Sequence, residues 1–389
     1  MTTDTEAPAH AAFGASNAKR RMACPGSMNA EAKFPDKSSP YAELGTAAHE
    51  LGEHCLLCKI YTVDKFIGET FNGHVVDTNM ADAVQLYVNF IRETVAKEEP
   101  ALLRIERRFS LEALGPPMPM FGTADCVIYG KETGNLWVID YKHGQGVAVE
   151  VEDNPQLKYY ALGAVLEIGD RAPIRSVRTV VVQPRSSHPN GPIRRYDYTR
   201  DDILDFGTDL IDAAHAAVKP NAPLIPGEHC KFCKAGGSCP ALRSNALAVA
   251  QDEFGAVRKI DELTPAEVAG YLERIPLIEE WIKAIRKHAH DILETGEALP
   301  GYKLVEKRPT RRWKNEEELL AWASQEGLED DDIYEKKLKS PSQIERVVGK
   351  KNLPSTLTMS VSSGLSMVPD TDARPPAALL AADEFNATE

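Results

Sequence analysis

Two aspartates and a lysine are the residues of this 389-residue chain best suited to do chemistry. Asp140 and Lys142 stand two apart in a segment, residues 135–142, that alternates like a strand, so both project from one face. Asp125 lies in a second such segment, residues 123–129. The Lys-Glu-Thr-Gly-Asn between them carries the Gly and Asn of a hairpin turn. If Asp125 faces the same way, two carboxylates and one ammonium converge at a sheet edge. Such a pair of hard oxygen ligands holds Mg²⁺ or Mn²⁺ while leaving waters in place. The cation acidifies a water and neutralises charge on a phosphodiester, and the lysine orients that water or offsets phosphate charge. Taken alone, an Asp-x-Lys at a strand end is more often solvated and idle, because the pattern is short.

The neighbours change that balance. Gln156 and Tyr160 are four apart near the start of the next helix, hence on one face, where they can steady a water and a phosphate. Upstream, His49 lies on a helix, and an imidazole ligand favours Mn²⁺ over a pure oxygen site. A histidine taken singly is more often satisfied or exposed. Glu106 is a further carboxylate near the set, but its alternation with Arg107 and Arg108 fits an ordinary strand charge equally well.

The seven cysteines are unevenly spaced, which argues against a disulfide framework and leaves metal ligation or burial. Cys230, Cys233 and Cys239 form C-x-x-C-x₅-C before Pro240, and Cys24 stands far upstream. Three clustered thiolates and one remote one suffice for a tetrahedral zinc or a 4Fe–4S cluster. A local zinc site with His229 as fourth ligand, and no metal at all, are the alternatives. Cys55 and Cys58 fall among leucines in a predicted helix and read as buried thiols, and Cys126 as core.

The elements that must position these groups follow from periodicity. Helices are expected over 45–60 and 80–98, then strands over 102–110, 123–129 and 135–142. A helix over 154–167 is capped by Asn154 with Pro155 in its first turn. A β-branched strand over 176–183 reads as central, and a helix over 199–218 ends before Pro220. The order predicts an α/β fold: a mixed central sheet flanked by helices, with a C-terminal mainly helical extension. Residues 1–18 are expected to be flexible, 19–245 to form the core closed by the cysteines, 246–351 an auxiliary α-rich domain, and 352–389 a disordered tail. The auxiliary domain opens with a capping box, Thr264 to Glu267, on a long helix kinked at Pro276, and a short helix covers 315–326.

Lys and Arg number 45 against 58 Asp and Glu, a net charge of −13. That argues against a sequence-independent DNA coater, which relies on bulk positive charge, but does not exclude an enzyme with a local basic groove. One segment, residues 302–314, is basic with Tyr302 and Trp313 interleaved. Its Arg308, Arg311, Arg312, Trp313 and Lys314 suit a phosphate backbone with a stacked base, and suit a solvated hairpin equally. No long apolar run predicts a membrane span, and the first residues have neither the basic nor the apolar region of a secretory signal, so a cytoplasmic protein is expected.

In series, His49 in GTAAHE, Asp125 in GTADCVIY, Asp140 and Lys142 in VIDYKHG, and Gln156 with Tyr160 in QLKYY resemble the PD-(D/E)XK nuclease superfamily. The likeness is to its RecB-like exonuclease branch, which includes CRISPR-adaptation and AddAB-type nucleases. It spans about residues 20–240, in the family's order and approximate spacing. It implies a restriction-endonuclease-like core and a Mg²⁺- or Mn²⁺-dependent deoxyribonuclease, with Asp125, Asp140, the Tyr141 carbonyl and His49 on the metal. It favours a 4Fe–4S staple on Cys24, Cys230, Cys233 and Cys239 over zinc. The stretch from CPGS through GTAAHE also resembles an uncharacterised phage and prophage family, which implies work in phage-type recombination or DNA processing. A recombinase or a single-strand annealing protein is a candidate partner, and any unwinding must come from a helicase partner, since the chain has no phosphate-binding G-x-x-x-x-G-K-[ST] of its own. Two other readings are a non-catalytic DNA-binding scaffold, against which the intact Asp and Lys set argues, and a zinc-stapled endonuclease.

Overall fold

A computed structural model of the protein describes residues 11–35, 39–169, 171–254 and 264–305. Two short helices, α1 (Ala18–Ala23) and α2 (Ser27–Glu31), precede α3 (Pro40–Leu57). Ser39 caps α3, accepting from Ala42 N, and Pro40 fills the first helical position where no N–H is needed. The helix therefore begins five residues earlier than its apolar spacing predicts. A two-stranded hairpin, β1 (Thr70–Phe71) and β2 (His74–Val75), leads into α4 (Thr78–Lys97), capped by the Asp77 carboxylate at 2.7 Å from Met80 N.

The main sheet follows: β3 (Ala101–Ser110), β4 (Phe121–Gly130), β5 (Asn135–Tyr141), β6 (Ser176–Val182) and β7 (Ile193–Tyr198), in that spatial order. Only β5 and β6 run parallel, because the crossover helix α5 (Pro155–Gly169) connects them; the other neighbours are antiparallel. The fold is thus the expected mixed α/β sheet flanked by helices. Two details differ. The central strand is β5, with β6 one place from the edge. And β7 has no counterpart in the sequence reading: of Ile-Arg-Arg-Tyr-Asp-Tyr only Arg194 and Tyr198 are buried, so an edge strand carries little apolar signal. Helix α6 (Arg200–Ala217) opens on a capping box between Thr199 and Asp202.

Each sheet face has its own core. Val127, Tyr129, Leu136 and Val138 pack with Leu162 and Val165 of α5 and Leu210 of α6. Cys126, Ile128, Ile139 and Tyr141 pack on the other side with Leu51 of α3 and Val84 of α4. Phe13, Ala15 and Ala18, expected to lie in a flexible N-terminus, belong to the first core. Phe13 is fully buried, and its carbonyl accepts from the Tyr159 hydroxyl.

After α6 come the cysteine segment, α7 (Pro240–Phe254) and α8 (Pro265–Glu294). Thr264 and Glu267 form the expected capping box on α8, and Pro276 lies inside that helix. Gly237 lies against α8 so closely that a Cβ would sit 2.5 Å from the His288 Cβ. The described residues up to Leu304 belong to one compact unit. Arg308, Arg311, Arg312, Trp313 and Lys314, the helix expected over 315–326 and the tail expected from 352 lie outside the described residues. Among the described residues no helix is long and apolar enough to cross a membrane.

Candidate active site

The site lies where the β3–β4–β5 part of the sheet opens. The β4–β5 ladder stops at Cys126–Ile139. One residue further on, the Asp125 carboxylate replaces a strand carbonyl and accepts from Tyr141 N at 2.6 Å. In β3 the Cα pairs run on either side of this point, Ile105 with Cys126 and Arg107 with Ala124, while Glu106 makes no pair and has φ of 46°. That left-handed conformation is uncommon for a residue with a Cβ, and such strain concentrates at functional sites. Both strands change alternation here. Leu103 and Ile105 pack on the α3–α4 side whereas Phe109 packs on the α5–α6 side, and in β4 Ala124, Val127 and Tyr129 share the α5–α6 side.

The distortion brings three ligand atoms together. His49 on α3, Glu106 and Asp125 each present an atom within 4.8 Å of the others'. His49 Nδ1 lies 3.6 Å from Asp125 Oδ1 and 3.9 Å from Glu106 Oε1. Burial, followed by the charges of Asp125, Glu53 and Asp140, pushes the Glu106 carboxyl up to about 8. Burial and Asp140 push Asp125 up to about 6, against the opposing pull of His49 and Lys142. Crowded, desolvated carboxylates beside an imidazole are the donor set of a divalent transition-type cation, whose charge would relieve that repulsion.

Asp140 and Lys142 project together from β5, as their spacing requires. Lys142 Nζ lies 2.9 Å from Asp140 Oδ2 and 3.1 Å from Oδ1, and donates to Gln156 Oε1 at 3.2 Å. Burial opposes the ammonium charge, but Asp140 and Asp125 outweigh it and hold Lys142 above the ordinary lysine value. Asn154 caps α5 by accepting from Gln156 N at 3.0 Å, which fixes Gln156 beside Lys142. Gln156 Nε2 then donates to the Tyr160 hydroxyl at 3.1 Å. Gly122 is required opposite Tyr160, since a Cβ there would approach the Tyr160 ring to 3.0 Å. His49, Asp125, Asp140, Lys142, Gln156 and Tyr160 are therefore neighbours in space.

Tyr141 holds this arrangement from below. Its ring meets Tyr87 at 4.8 Å and the edge of His49 at 5.3 Å between centroids, and its hydroxyl bonds His143 Nδ1 at 2.8 Å. Arg185 contacts His143 Nε2. Burial, the Arg185 charge and His49 push the His143 pKa down to about 4, so this buried ring is neutral at pH 7. In the sequence Glu106 reads equally as an ordinary strand charge, and neither His143 nor Arg185 stands out. His143 directly follows Lys142, a signal that was there to read; the backbone twist at Glu106 leaves no mark in residue types.

The cysteines are drawn together only in part. Ile225 N donates to Cys24 Sγ at 3.3 Å, which closes the loop from α1 to the cysteine segment, and Gly227 N donates to Cys230 Sγ at 3.4 Å within that segment. Burial raises the Cys230 thiol, with Cys239 and Cys24 close enough to add to it. Cys233 is pushed up to about 12 by burial and by Glu31, with which its thiol hydrogen-bonds. Among the described residues, His49, Glu106 and Asp125 are the one group of three ligand atoms within 4.8 Å, and the four cysteines do not form a second. His229 turns its Nε2 to the Ile225 carbonyl at 2.8 Å. Cys55 is buried as expected, whereas Cys58 is exposed at the end of α3, beyond the leucine-lined face.

A Eubacterium rectale protein described as a "putative exonuclease" is similar in structure, at 12% identity and a TM-score of 0.31 over 56% of this chain and 88% of that one. The protein SSO0001 is similar at 14% identity and a TM-score of 0.24, over 58% of this chain and 94% of that one. Residues 10–375 match the family model described as "Protein of unknown function (DUF2800)", and the chain belongs to that family.

Proposed function

We propose that the protein is a divalent-metal-dependent deoxyribonuclease of the RecB-like PD-(D/E)XK type, most simply an exonuclease serving phage-type recombination or DNA processing. The observation that carries this reading is the convergence of His49, Glu106 and Asp125 beside an Asp140–Lys142–Gln156 chain of hydrogen bonds. Asp125, Asp140, His49 and the Tyr141 carbonyl would hold Mg²⁺ or Mn²⁺, with Glu106 as an added carboxylate. When bound, the cation supplies charge neutralisation at the phosphodiester and a more acidic water. Lys142, kept protonated by its two aspartates, orients the attacking water and balances charge building on the phosphate. Gln156 fixes the ammonium in place and is itself fixed by the Tyr160 hydroxyl, so neither reorganises during reaction.

Cys24, Cys230, Cys233 and Cys239 suit a structural 4Fe–4S cluster, or zinc, whose binding would draw Cys233 away from Glu31. The shared neighbourhood of Cys24, Cys230 and Cys239 supports this, and the bond of His229 to a carbonyl weighs against a local zinc site.

The test is a cleavage assay with wild type and Lys142→Ala, both purified without oxygen. End-labelled linear single- and double-stranded DNA is incubated with Mg²⁺, Mn²⁺ or chelator. Metal-dependent degradation lost in the variant supports the reading. Mononucleotides and short oligomers indicate an exonuclease, and discrete internal fragments an endonuclease. Inert wild type on every substrate overturns it in favour of a binding scaffold.

A further inference from the structure

Two cavities adjoin beneath the N-terminal segment and share Ala15 and Ser16 in their walls. The larger, of about 410 Å³, reaches Lys19, Arg20, Gln156, His229 and Phe232. The smaller, of about 130 Å³, reaches Phe121, Gly122, Thr123 and Tyr160. Gln156 lines the larger cavity and Tyr160 the smaller; the two are bonded to each other, and Gln156 accepts from Lys142. The two cavities together form a groove from Phe232 to Phe121, and its wall carries Gln156, which accepts from Lys142.

Each end of the groove couples an aromatic ring with cations. Phe232 is 67% exposed, with Lys231 Nζ 5.6 Å from its ring. Its backbone is fixed: Arg20 Nη1 donates to the Phe232 carbonyl at 3.2 Å, and Arg20 is itself paired with the buried Glu31 at 3.1 Å. At the far end the Arg108 guanidinium stacks over Phe121 at 3.7 Å. The larger cavity is also lined by Glu150, Glu152 and Asp153, of which Glu150 meets His188 and Asp153 meets Lys158. A polyanion in this groove must keep its phosphates to the Lys19 and Arg20 side and turn its apolar faces toward Phe232. Rings flanked by cations along a track accept successive unpaired bases and their phosphates. A paired base has its faces covered within the duplex and cannot stack on a lone ring.

We propose that this groove binds an unpaired nucleic-acid strand, with a base stacked on Phe232 and phosphates on Lys19 and Arg20, and so delivers single strands to Lys142. The proposal deepens the nuclease reading and rests on it for the direction of travel, whereas strand binding can be measured without cleavage.

Full-length protein, without added Mg²⁺ or Mn²⁺, is titrated into fluorescein-labelled single-stranded and duplex oligonucleotides and followed by anisotropy. Wild type is expected to prefer the single strand. Phe232→Ala should weaken that binding about tenfold, and Phe232→Trp, which keeps a stacking face, should restore it. Lys19→Ala should lower the salt dependence of binding. The proposal is overturned if Phe232→Ala binds the single strand as tightly as wild type, if Phe232→Trp binds as poorly as the alanine variant, or if wild type prefers the duplex. In parallel, wild type is assayed with Mn²⁺ for hydrolysis of the p-nitrophenyl ester of thymidine monophosphate. No ester or strand hydrolysis alongside the expected binding pattern defeats the nuclease reading and leaves the groove; hydrolysis with Phe232-independent binding defeats the groove alone.

Discussion

The backbone N–H of Tyr141 donates to the Asp125 carboxylate at 2.6 Å, across the point where the β4–β5 ladder has ended. A side chain on one strand thus completes the hydrogen bonding of the next, and the sheet stays joined while opening room for Glu106 and His49. The bond also aims Asp125: one oxygen faces Tyr141 and the other lies 3.6 Å from His49. Asp125→Ala would remove a carboxylate and orphan a buried N–H at once. Asp125→Asn keeps an acceptor for Tyr141 and is the cleaner probe. It is expected to keep the wild-type circular dichroism and to abolish metal-dependent cleavage, because a neutral amide is a poor ligand for a hard cation.

Lys142 sits between an acid and an amide, and its charge is held by that pairing. Lys142→Met, which keeps the packing of the stem, is expected to lower the cleavage rate by about 10²- to 10³-fold, the usual cost of removing one preorganised stabilising group. Steady-state kinetics on a labelled oligonucleotide check it. A fall in kcat/KM carried by kcat marks a group acting in the transition state.

The pH dependence of stability has an unusual sign at this site. A salt-bridged carboxylate has a lowered pKa and stabilises the fold at neutral pH. Glu106 is instead raised from 4.5 to about 8 and Asp125 from 3.8 to about 6. Between the unfolded and folded values the unfolded chain releases these protons first, so the folded state loses stability as pH rises from about 4 to 8. The metal-stripped protein should accordingly melt lower at pH 8 than at pH 5.5. Glu106→Gln should flatten that decline and raise the melting temperature at pH 8 by a few degrees, roughly 3 °C per kcal/mol recovered, while weakening Mn²⁺ binding. Differential scanning calorimetry at the two pH values, with and without Mn²⁺, reads both effects.

How much of this was legible depended on what encodes it. Asp140 with Lys142, and Gln156 with Tyr160, are set by strand and helix periodicity, which residue spacing expresses directly. Their hydrogen-bonded chain follows from that spacing and from the Asn154 cap. Glu106 was not legible, because its place depends on a φ of 46° in a sequence, Arg-Ile-Glu-Arg-Arg, that reads as plain strand. Strand β7 escaped because an edge strand needs few apolar residues. Phe13 carries little signal because small neighbours on either side mask one buried ring. The cysteine spacing was visible, but the carboxylate that engages Cys233 comes from α2, some two hundred residues away in sequence.

That carboxylate supports a separate prediction. Glu31 is buried and takes Arg21 Nη1 at 2.8 Å, Arg20 Nε at 3.1 Å and Lys234 N at 2.9 Å. Burial lowers the Arg21 pKa and Glu31 restores part of the loss. Glu31→Ala leaves the Arg21 guanidinium buried without its partner, which costs about 3–5 kcal/mol in comparable sites. Chemical denaturation should show a midpoint shift of that order, and the Cys233 thiol, freed of a neighbouring negative charge, should react faster with a disulfide reagent.

The last prediction concerns what the cysteines hold. Burial and Glu31 keep the Cys233 thiol protonated at neutral pH, with a pKa pushed up to about 12. Ligation must displace that proton, which a metal does at a coordinated thiol. Protein purified without oxygen is expected to be brown, to contain four irons per chain, and to lose both colour and solubility in Cys233→Ser. A cluster also bridges α1 to the segment before α7, so its removal should free the loop between Cys24 and Cys230 and lower the unfolding midpoint. Elemental analysis separates the outcomes. One zinc per chain and no iron would keep the bridge and change the metal. Neither metal, with Cys233→Ser as stable as wild type, would leave the Cys24–Ile225 and Cys230–Gly227 hydrogen bonds as all that these thiols contribute.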